Sequence, residues 1–411
     1  MTPTHNSGPK ARGTLRVGIV GFGGAGMAHA WYFNRVPGCR VTAVFDPNVG
    51  GLARARADKH NDGWALFDDL EGFLESDIDV VSVCAPDSTH ATYIVAALEH
   101  GKHVICEKPL ASSLEDCRRI LQAVERSDRV AAVLHQMRFI PLYRKVKGIL
   151  ESGELGNAFY LEGAYVHDLT SRASQFDDWR FRENATPLVY SGCHFVDLLR
   201  WFANEEAVEV SGFANHMAFP DYPESDCNVI LIRFRSGRIA KVVTAFGAKR
   251  PQDHSIRIYA DQSSVDNNVL LDHDGLRRVI HSPMLVKWDL FERRGRPLVN
   301  RAARFAASSL RNVGPVIHSA INRAAWSVLP TSGDYAVQGL PMRTYEHQLG
   351  CVRAIRNFVD AIHSGATPEC NVYEAARAVA ICLAGVEAYR TRTVQQMSDF
   401  SFPELHRGEF V

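Results

Sequence analysis

The chain has 411 residues, and its 46 Lys and Arg residues balance its 46 Asp and Glu residues, so the formal net charge is zero. This length predicts two or three domains, and a neutral chain has no overall field that would recruit nucleic acid. No run of 18 or more apolar residues is present, which excludes a membrane-spanning helix. The polar segment 1–13 lacks the apolar core of a secretory signal, so we expect a disordered tail on a cytoplasmic protein.

The first third of the chain alternates between apolar, strand-like runs and helical patterns. The runs are LRVGIV (15–20), RVTAVF (40–45), DVVSVCA (79–85), HVICE (103–107) and RVAAVL (129–134). Strands that alternate with helices pack as a parallel sheet covered on both faces. We therefore predict an α/β class protein whose residues 14–137 form a doubly wound parallel-sheet domain.

The pattern changes after residue 137. A helical pattern over 139–156 is followed by strands that succeed one another without helices, namely AFYLEGAYVH (158–167), AVEVSGFANH (207–216), NVILIRFRS (228–236), RIAKVVTAFGA (238–248) and HSIRIYAD (254–261). Two helices, at 344–363 and 372–391, close the chain. Such an order predicts an α+β domain over 138–411 with a large, mostly antiparallel sheet.

An Arg-rich segment interrupts this second domain at about 290–335. Residues 293–333 contain seven arginines and no Asp, Glu or Lys. Apolar residues recur there at steps of three and four, which predicts two amphipathic helices broken at Gly314-Pro315. The helices either pack on this protein or a partner subunit, or present a basic face to an anionic membrane surface or a bulky anionic substrate.

The nine cysteines include no C-x-x-C pair, and several lie in the strand-like runs. A cysteine in such a run behaves as a small buried hydrophobe. We therefore expect free thiols in a reducing compartment, without a disulfide framework or a bound metal.

The glycine run GFGGAG follows the first strand and opens a helix. Asp46 closes the next strand, twenty residues past the last glycine, which is the spacing of a dinucleotide-binding (Rossmann) turn. The expected cofactor contacts in this segment are Gly21, Phe22, Gly23, Gly24, Ala25, Gly26 and Asp46. An acid at position 46 reaches the ribose hydroxyls and repels a 2′-phosphate, and no arginine follows it directly, so NAD is favoured over NADP.

Two more motifs follow strands at the same predicted edge of the sheet, APDSTH (85–90) and EKPL (107–110). Ligands of doubly wound sheets collect at the carboxyl ends of the strands. Further on, YSGCHFVDLLRW (190–201) puts His194 and Asp197 on one face of a helix.

These motifs, together with HQMRFIP (135–141) and FVDAIHSG (358–365), resemble the glucose–fructose oxidoreductase / inositol dehydrogenase / MocA-type oxidoreductases over residues 14 to 391. The resemblance implies an NAD-dependent enzyme that oxidises or reduces a secondary alcohol of a sugar, polyol, inositol or glycoside. It implies that Lys108 is the general acid/base, that His194 is the motif histidine, and that Glu107 borders the cofactor. The bond before Pro109 is often cis in this family, which would aim Lys108 into the cleft.

One position departs from the family pattern. Many members have an aspartate four residues before the motif histidine, where this chain has Tyr190. Tyr190 either takes over a polar contact with the substrate at the catalytic centre or only shapes the pocket. A lysine works as a base near neutral pH when burial and positive charge lower its pKa, and we expect this of Lys108 beside an oxidised nicotinamide.

Further residues complete the predicted site. Cofactor contacts are expected from Ala85, Pro86, Asp87 and His90, with the alternative that His90 only belongs to the first turn of its helix. Asp197 either binds a substrate hydroxyl or orients a neighbour. Substrate contacts are also expected from Gln136, Trp179 and Arg180, with an interface position as the alternative for the last two.

The expected partners are a small sugar-like substrate and further copies of this chain. An exposed apolar sheet face would be a large patch on a monomer, so we expect a homo-oligomer, a dimer or a tetramer, paired through the antiparallel sheets. Two other functions compete with the dehydrogenase. One is glycoside cleavage with a retained NAD, and the other is dinucleotide sensing without catalysis.

Overall fold

The computed structural model describes residues 13–170, 186–249, 252–280, 334–337 and 340–402. Within these ranges the chain forms two β-sheets with helices packed against them. The predicted tail as far as residue 12, the Arg-rich segment 293–333, and both Trp179 and Arg180 lie outside the described residues.

The first sheet is parallel throughout and has the strand order β3-β2-β1-β4-β5-β6. Its strands are Leu15–Val20 (β1), Cys39–Phe45 (β2), Ala65–Phe67 (β3), Val80–Val83 (β4), His103–Cys106 (β5) and Ala131–Val133 (β6). The order reverses between β1 and β4, which is the switch point where a doubly wound sheet holds its ligand. The predicted fold class is therefore confirmed, and only β3 was not anticipated.

Five helices connect these strands. They are Gly24–Phe33 (α1), Val49–Ala57 (α2), Leu70–Glu75 (α3), His90–Glu99 (α4) and Leu114–Glu125 (α5). Local chemistry sets several of their ends. The Ser113 side chain accepts a hydrogen bond from the Asp116 N–H at the start of α5, and Gly101 takes the left-handed conformation (φ 67°) just after α4.

The second sheet has eleven strands in the described residues, in the order β14-β13-β12-β11-β7-β10-β9-β8-β17, with β15 paired to β11 and β16 paired to β15. Its pairings are antiparallel except for β7 with β10 and β11 with β15. The strands are Ala158–Val166 (β7), Ala207–Asn215 (β8), Cys227–Phe234 (β9), Ile239–Ala245 (β10), Gln252–Ala260 (β11), Ser264–Asp266 (β12), Val269–Asp272 (β13), Gly275–Val279 (β14), Asp334–Val337 (β15), Leu340–Arg343 (β16) and Gln395–Gln396 (β17).

Four more helices are Pro141–Glu151 (α6), Cys193–Ala203 (α7), Thr344–Ser364 (α8) and Val372–Thr391 (α9). Helix α7 packs on the inner face of the second sheet, where the absent side chain of Gly163 in β7 leaves room for the Phe195 ring. Helices α8 and α9 do not stay within the second domain. Residues such as Ile355 and Val379 belong to the same apolar clusters as the first sheet, so the chain ends by binding its two sheets together.

The opposite face of the second sheet carries large exposed apolar side chains. Phe213 on β8 is 82% exposed and Leu231 on β9 is 44% exposed. Among the described residues, no helix combines the length and apolar character needed to cross a membrane.

Candidate active site at the carboxyl edge of the parallel sheet

The glycine-rich turn joins β1 to α1 and has the geometry that a dinucleotide needs. Gly21 has φ 81°, and a Cβ there would lie 3.0 Å from the Cys84 carbonyl oxygen. A Cβ on Gly26 would overlap the Gly21 carbonyl, so helix and strand pack too closely for a side chain. By contrast, nothing lies within 4 Å of a Cβ placed on Gly23. This open space in front of α1, whose N-terminus has no capping side chain, fits a pyrophosphate.

Asp46 lies at the end of β2 beside this turn and is 5% exposed. Its Oδ2 accepts a hydrogen bond from the Phe22 N–H at 2.8 Å, and its Oδ1 accepts one from the Asn48 N–H at 2.9 Å. A Cβ on Gly51 would overlap the carboxylate, so a glycine in α2 is needed to seat it. The sequence indicated no arginine directly after Asp46, but the fold brings the exposed Arg54 side chain to the Phe22 carbonyl at 3.0 Å.

The other predicted residues of the turn differ in what they expose. The Phe22 side chain is fully buried and packs edge-on against Trp64, so the backbone alone faces the turn. Gly24 and Ala25 form the first residues of α1, at the helix end where backbone N–H groups have no helical partner.

The loops after β4 and β5 meet beside the turn. Ala85 follows β4, and its N–H lies 3.1 Å from the position of a Cβ on Gly21. Pro86 is half-buried, and Asp87 begins a short helical turn and is 8% exposed. His90 is fully buried, with Nε2 3.0 Å from the Ala85 carbonyl oxygen and Nδ1 2.9 Å from the Pro109 carbonyl oxygen. This geometry favours the alternative in which His90 is part of its helix and clamps the two loops together.

Lys108 projects from the loop after β5, and the Lys108–Pro109 bond is cis. Its Nζ donates to the Tyr190 carbonyl oxygen at 3.0 Å and lies 4.1 Å from the centre of the Tyr190 ring. Burial acts to lower the pKa of Lys108, but Tyr190, Cys193 and the Glu107 carboxylate outweigh it and raise the pKa. The protein's own groups therefore do not lower the pKa of Lys108 as expected. They raise it and keep the ammonium charged.

Tyr190 lies in a π-helical turn, Leu188–Gly192, that leads directly into α7. Such turns occur often at functional sites because they displace side chains from regular helical positions. Here the turn directs the Tyr190 ring toward Lys108 and the edge of Phe246, with ring centres 6.4 Å apart for the aromatic pair. The fold thus brings the predicted residues Lys108 and Tyr190 together. Tyr190 packs there against an apolar cluster of Phe219, Tyr222 and Phe246.

His194 is the second residue of α7 and is 5% exposed. Its ring lies parallel to that of Tyr165, with 6.0 Å between centres, and its Nδ1 makes no hydrogen bond with a described residue. Burial, the Lys108 ammonium and neighbouring histidines lower the pKa of His194 well below its ordinary value. The imidazole is therefore neutral at neutral pH and able to accept a proton or a hydrogen bond.

Asp197 and Gln136 lie behind this centre. Asp197 is fully buried, and both its oxygens accept hydrogen bonds from Arg138, at 2.8 and 2.5 Å. A carboxylate held in this way does not fit a substrate ligand, and the geometry favours the alternative of an orienting residue, since His135 Nδ1 lies 3.8 Å away. Gln136 is 3% exposed and lies 2.9 Å from His347 Nε2, so it too contacts protein.

Several residues of the site were not anticipated from the sequence. His29 in α1 contacts Glu107, and Arg138 holds Asp197. The signals were available, because His29 is a polar residue in an otherwise apolar helix and Arg138 lies inside the HQMRFIP motif. Tyr165 gave no signal, because an aromatic residue in a strand is ordinarily part of a core.

Two family models match the chain. One describes an oxidoreductase family with an NAD-binding Rossmann fold and covers residues 15–135, and the other describes the GFO/IDH/MocA C-terminal domain and covers residues 143–266. Inositol 2-dehydrogenase 2 of Saccharopolyspora erythraea is 30% identical over 239 residues, 56% of this chain and 66% of that protein. Inositol 2-dehydrogenase of Salmonella typhimurium is 33% identical over 198 residues, 47% of this chain and 56% of that protein. The chain thus spans between about half and two thirds of the length of these relatives.

Solved structures share the fold over nearly the whole chain. The scyllo-inositol dehydrogenase from Lactobacillus casei, with bound NAD(H) and scyllo-inositol, superimposes with a TM-score of 0.71 at 18% identity and covers 94% of this chain and 99% of that one. The chain therefore belongs to the GFO/IDH/MocA family of oxidoreductases, with an NAD-binding Rossmann domain at its N-terminal end.

Proposed function

We propose that the protein is an NAD-dependent dehydrogenase or reductase acting on a secondary alcohol of a sugar, polyol, inositol or glycoside. The observation that carries the proposal is the convergence of Lys108, Tyr190 and His194 at the carboxyl edge that also holds the glycine-rich turn. The names of the relatives, inositol 2-dehydrogenases among them, support this substrate class.

The residues that would hold the cofactor fit it. The open space at Gly23 and the uncapped start of α1 suit the pyrophosphate, and Asp46 suits the adenosine ribose. Bound NAD would supply the hydride acceptor for oxidation of the alcohol carbon, or the hydride for reduction of a carbonyl carbon. Residues of the chain have to remove the hydroxyl proton in oxidation and supply a proton to the carbonyl oxygen in reduction.

Lys108 exchanges that proton with the reacting oxygen. In the reduction direction its ammonium donates a proton to the carbonyl oxygen as that oxygen gains negative charge. In the oxidation direction the free amine takes the hydroxyl proton, so loss of the ammonium proton must come first. Neutral His194 accepts a hydrogen bond from a neighbouring hydroxyl of the substrate and so orients the reacting carbon, which its low pKa permits across the neutral range.

Turnover tests the proposal against its competitors. Purified protein with NAD is offered inositols, hexoses, sugar acids and glycosides, and absorbance at the NADH band is followed together with product analysis. Steady NADH formation from a free polyol or sugar supports the dehydrogenase. Cleavage of a glycoside without net NADH, or cofactor binding with no turnover on any compound, would replace it by one of the two competing functions.

We also propose that the protein is a cytoplasmic homo-oligomer, paired through the outer face of the second sheet. Phe213 and Leu231 expose apolar area there that water would otherwise cover. Light scattering is expected to give a dimer or tetramer, and the double variant Phe213→Asp/Leu231→Asp to shift it toward the monomer. The exposed Val49 in α2 provides a control, Val49→Asp, which should leave the mass unchanged. A monomer at micromolar concentration would refute the proposal.

A further inference from the structure

A fully buried histidine lies directly behind the loop that carries Lys108. His29, in α1, has none of its surface exposed. Its Nε2 lies 3.0 Å from Glu107 Oε1, and its Nδ1 lies 2.8 Å from Ser82 Oγ. One ring therefore connects the helix after the glycine-rich turn, strand β4 and the loop after β5. The mechanism above assigns no task to it.

The contact with Glu107 fixes the charge of both groups. A carboxylate only accepts hydrogen bonds, so the Nε2 atom carries the proton. Burial opposes the charged imidazole, but Cys84 and Glu107 outweigh it and raise the pKa of His29 to about 10. Burial also opposes the charged carboxylate, yet His29 and Lys108 lower the pKa of Glu107 to about 2. The pair is ionic across the whole neutral range.

Glu107 also contacts the backbone of Lys108. Its second oxygen, Oε2, accepts a hydrogen bond from the Lys108 N–H at 3.2 Å. The carboxylate is thus held by a buried cation on one side and holds the backbone of Lys108 on the other. At the far end of the same residue, the Lys108 ammonium is fixed by the Tyr190 carbonyl oxygen.

Other titratable groups surround the pair on every side. Those that sense the charge of Glu107 or His29 are Cys84 on the β4 side, Cys106 in β5, Lys108, His135 after β6, Cys193 in α7, and His347 and Cys351 in α8. Of these neighbours, burial raises the pKa of Cys106 and Cys351 and lowers that of His135 and His347, so they stay uncharged near neutrality. Within the described ranges, His29 is the cation that lies within hydrogen-bond distance of the Glu107 carboxylate.

We propose that His29 is a positioning residue for the reaction: it holds the Glu107 carboxylate against the backbone of Lys108 and so places the Lys108 ammonium at the reacting end of the site. The role in turnover rests on the proposed function. The contact itself is a property of the protein alone, so it can be tested without cofactor or substrate.

The charge state is tested by NMR on protein labelled with ¹⁵N at histidine. The resonances that disappear in His29→Gln belong to His29. They are expected to stay at imidazolium positions from pH 6 to 9, and in Glu107→Gln to titrate at a lower pH because one anionic partner is gone. A His29 that titrates near its ordinary value of 6.5 in the unaltered protein would overturn the proposal, whatever the protein's activity.

The positioning role is tested by kinetics on the same variants. His29→Gln should keep cofactor affinity and lower kcat by about 10- to 100-fold, as expected for a misplaced catalytic group. In the reduction direction its pH profile should gain an acid limb, because the pKa of Glu107 without the cation rises toward its ordinary value of 4.5. The double variant His29→Gln/Glu107→Gln should be no slower than the slower single variant, since both act through one contact.

His103→Gln is the matched control. His103 is half-buried and accepts a hydrogen bond from the Val130 N–H. It is the first residue of β5 and so lies at the amino end of that strand, whereas Lys108 follows the carboxyl end. Its replacement should leave kcat and the pH profile unchanged. Normal kcat and an unchanged profile in His29→Gln, or additive losses in the double variant, would overturn the positioning role. If His29→Gln does not fold, Glu107→Gln decides by kcat and by whether a histidine resonance that stays at imidazolium positions in the unaltered protein now titrates at lower pH.

Discussion

The ammonium of Lys108 lies 3.0 Å from the Tyr190 carbonyl oxygen and 4.1 Å from the centre of the Tyr190 ring, although the two residues are 82 positions apart. This contact joins the loop after β5 of the first sheet to the π-helical turn that precedes α7. A cation over an aromatic face is held electrostatically, and the carbonyl oxygen adds a charge-assisted hydrogen bond. The candidate catalytic centre is therefore assembled only when both domains are in place.

Replacing Lys108 by alanine should remove the proton-exchanging group and leave the glycine-rich turn intact. The expected result is a loss of about 10²–10⁴ in kcat with cofactor affinity unchanged. Stopped assays give kcat, and cofactor titration gives the dissociation constant. Lys59→Ala is the control, because Lys59 is exposed and lies after α2. Near-normal turnover of the Lys108→Ala protein would exclude the role.

The raised pKa of Lys108 predicts opposite pH behaviour in the two directions. Oxidation needs the free amine, so kcat/KM for the oxidised cofactor should rise about tenfold per pH unit from pH 7 to 9, because the amine fraction does. Reduction needs the ammonium and should be flat over this range. The low pKa of His194 means that no acid limb should appear near pH 6.5. An oxidation rate that is flat above pH 7 and falls below it would contradict the assignment.

The contacts of Asp46 predict NAD over NADP. Asp46→Ala should weaken NAD binding and narrow the preference for NAD over NADP. Asp46→Asn removes the charge but keeps the side-chain size and an acceptor oxygen for one of the two N–H groups, of Phe22 or Asn48. Thermal unfolding of both variants shows whether the turn stays folded. Equal or better turnover with NADP in the unaltered protein would make the prediction wrong, and Arg54 beside the turn would be the residue to examine next.

Tyr190→Phe keeps the ring and the backbone carbonyl that hold Lys108 and removes only the hydroxyl. It should change KM and the choice among substrates more than it changes kcat. Initial rates across the same panel of polyols and sugars measure both. A loss as severe as that of Lys108→Ala, with a flattened pH profile, would instead identify the Tyr190 hydroxyl as the proton-transfer group.

Most of the fold follows from patterns within single segments of the chain. The apolar runs and the glycines between them predict β1 and β2 to within one residue, and the start of α1, because strand and turn chemistry are local there. The three-residue β3 is too short to show a period. The packing of α8 and α9 on the first sheet was also missed, because an amphipathic helix shows that it is buried but not which sheet covers it.

Site residues were predictable where they stand in a recognisable sequence motif. They were not predictable where their role depends on a contact between two distant segments. Gly21, Asp46 and Lys108 stand in motifs whose spacing indicates their place at the edge of the sheet. That Asp197 faces Arg138 instead of the substrate side depends on a pairing across 59 positions of sequence. The upward shift in the pKa of Lys108 depends on Tyr190, Cys193 and Glu107 together, and no single segment of the sequence contains them all.

The most direct test of the central claim is NADH formation by the unaltered protein and by Lys108→Ala, measured side by side with an inositol or sugar that the panel identifies. The unaltered protein should produce NADH steadily, faster at pH 9 than at pH 7, and the variant should produce it at least about a hundredfold more slowly at equal cofactor saturation. Equal rates from the two proteins, or cofactor binding with no NADH from any compound in the panel, would contradict the claim.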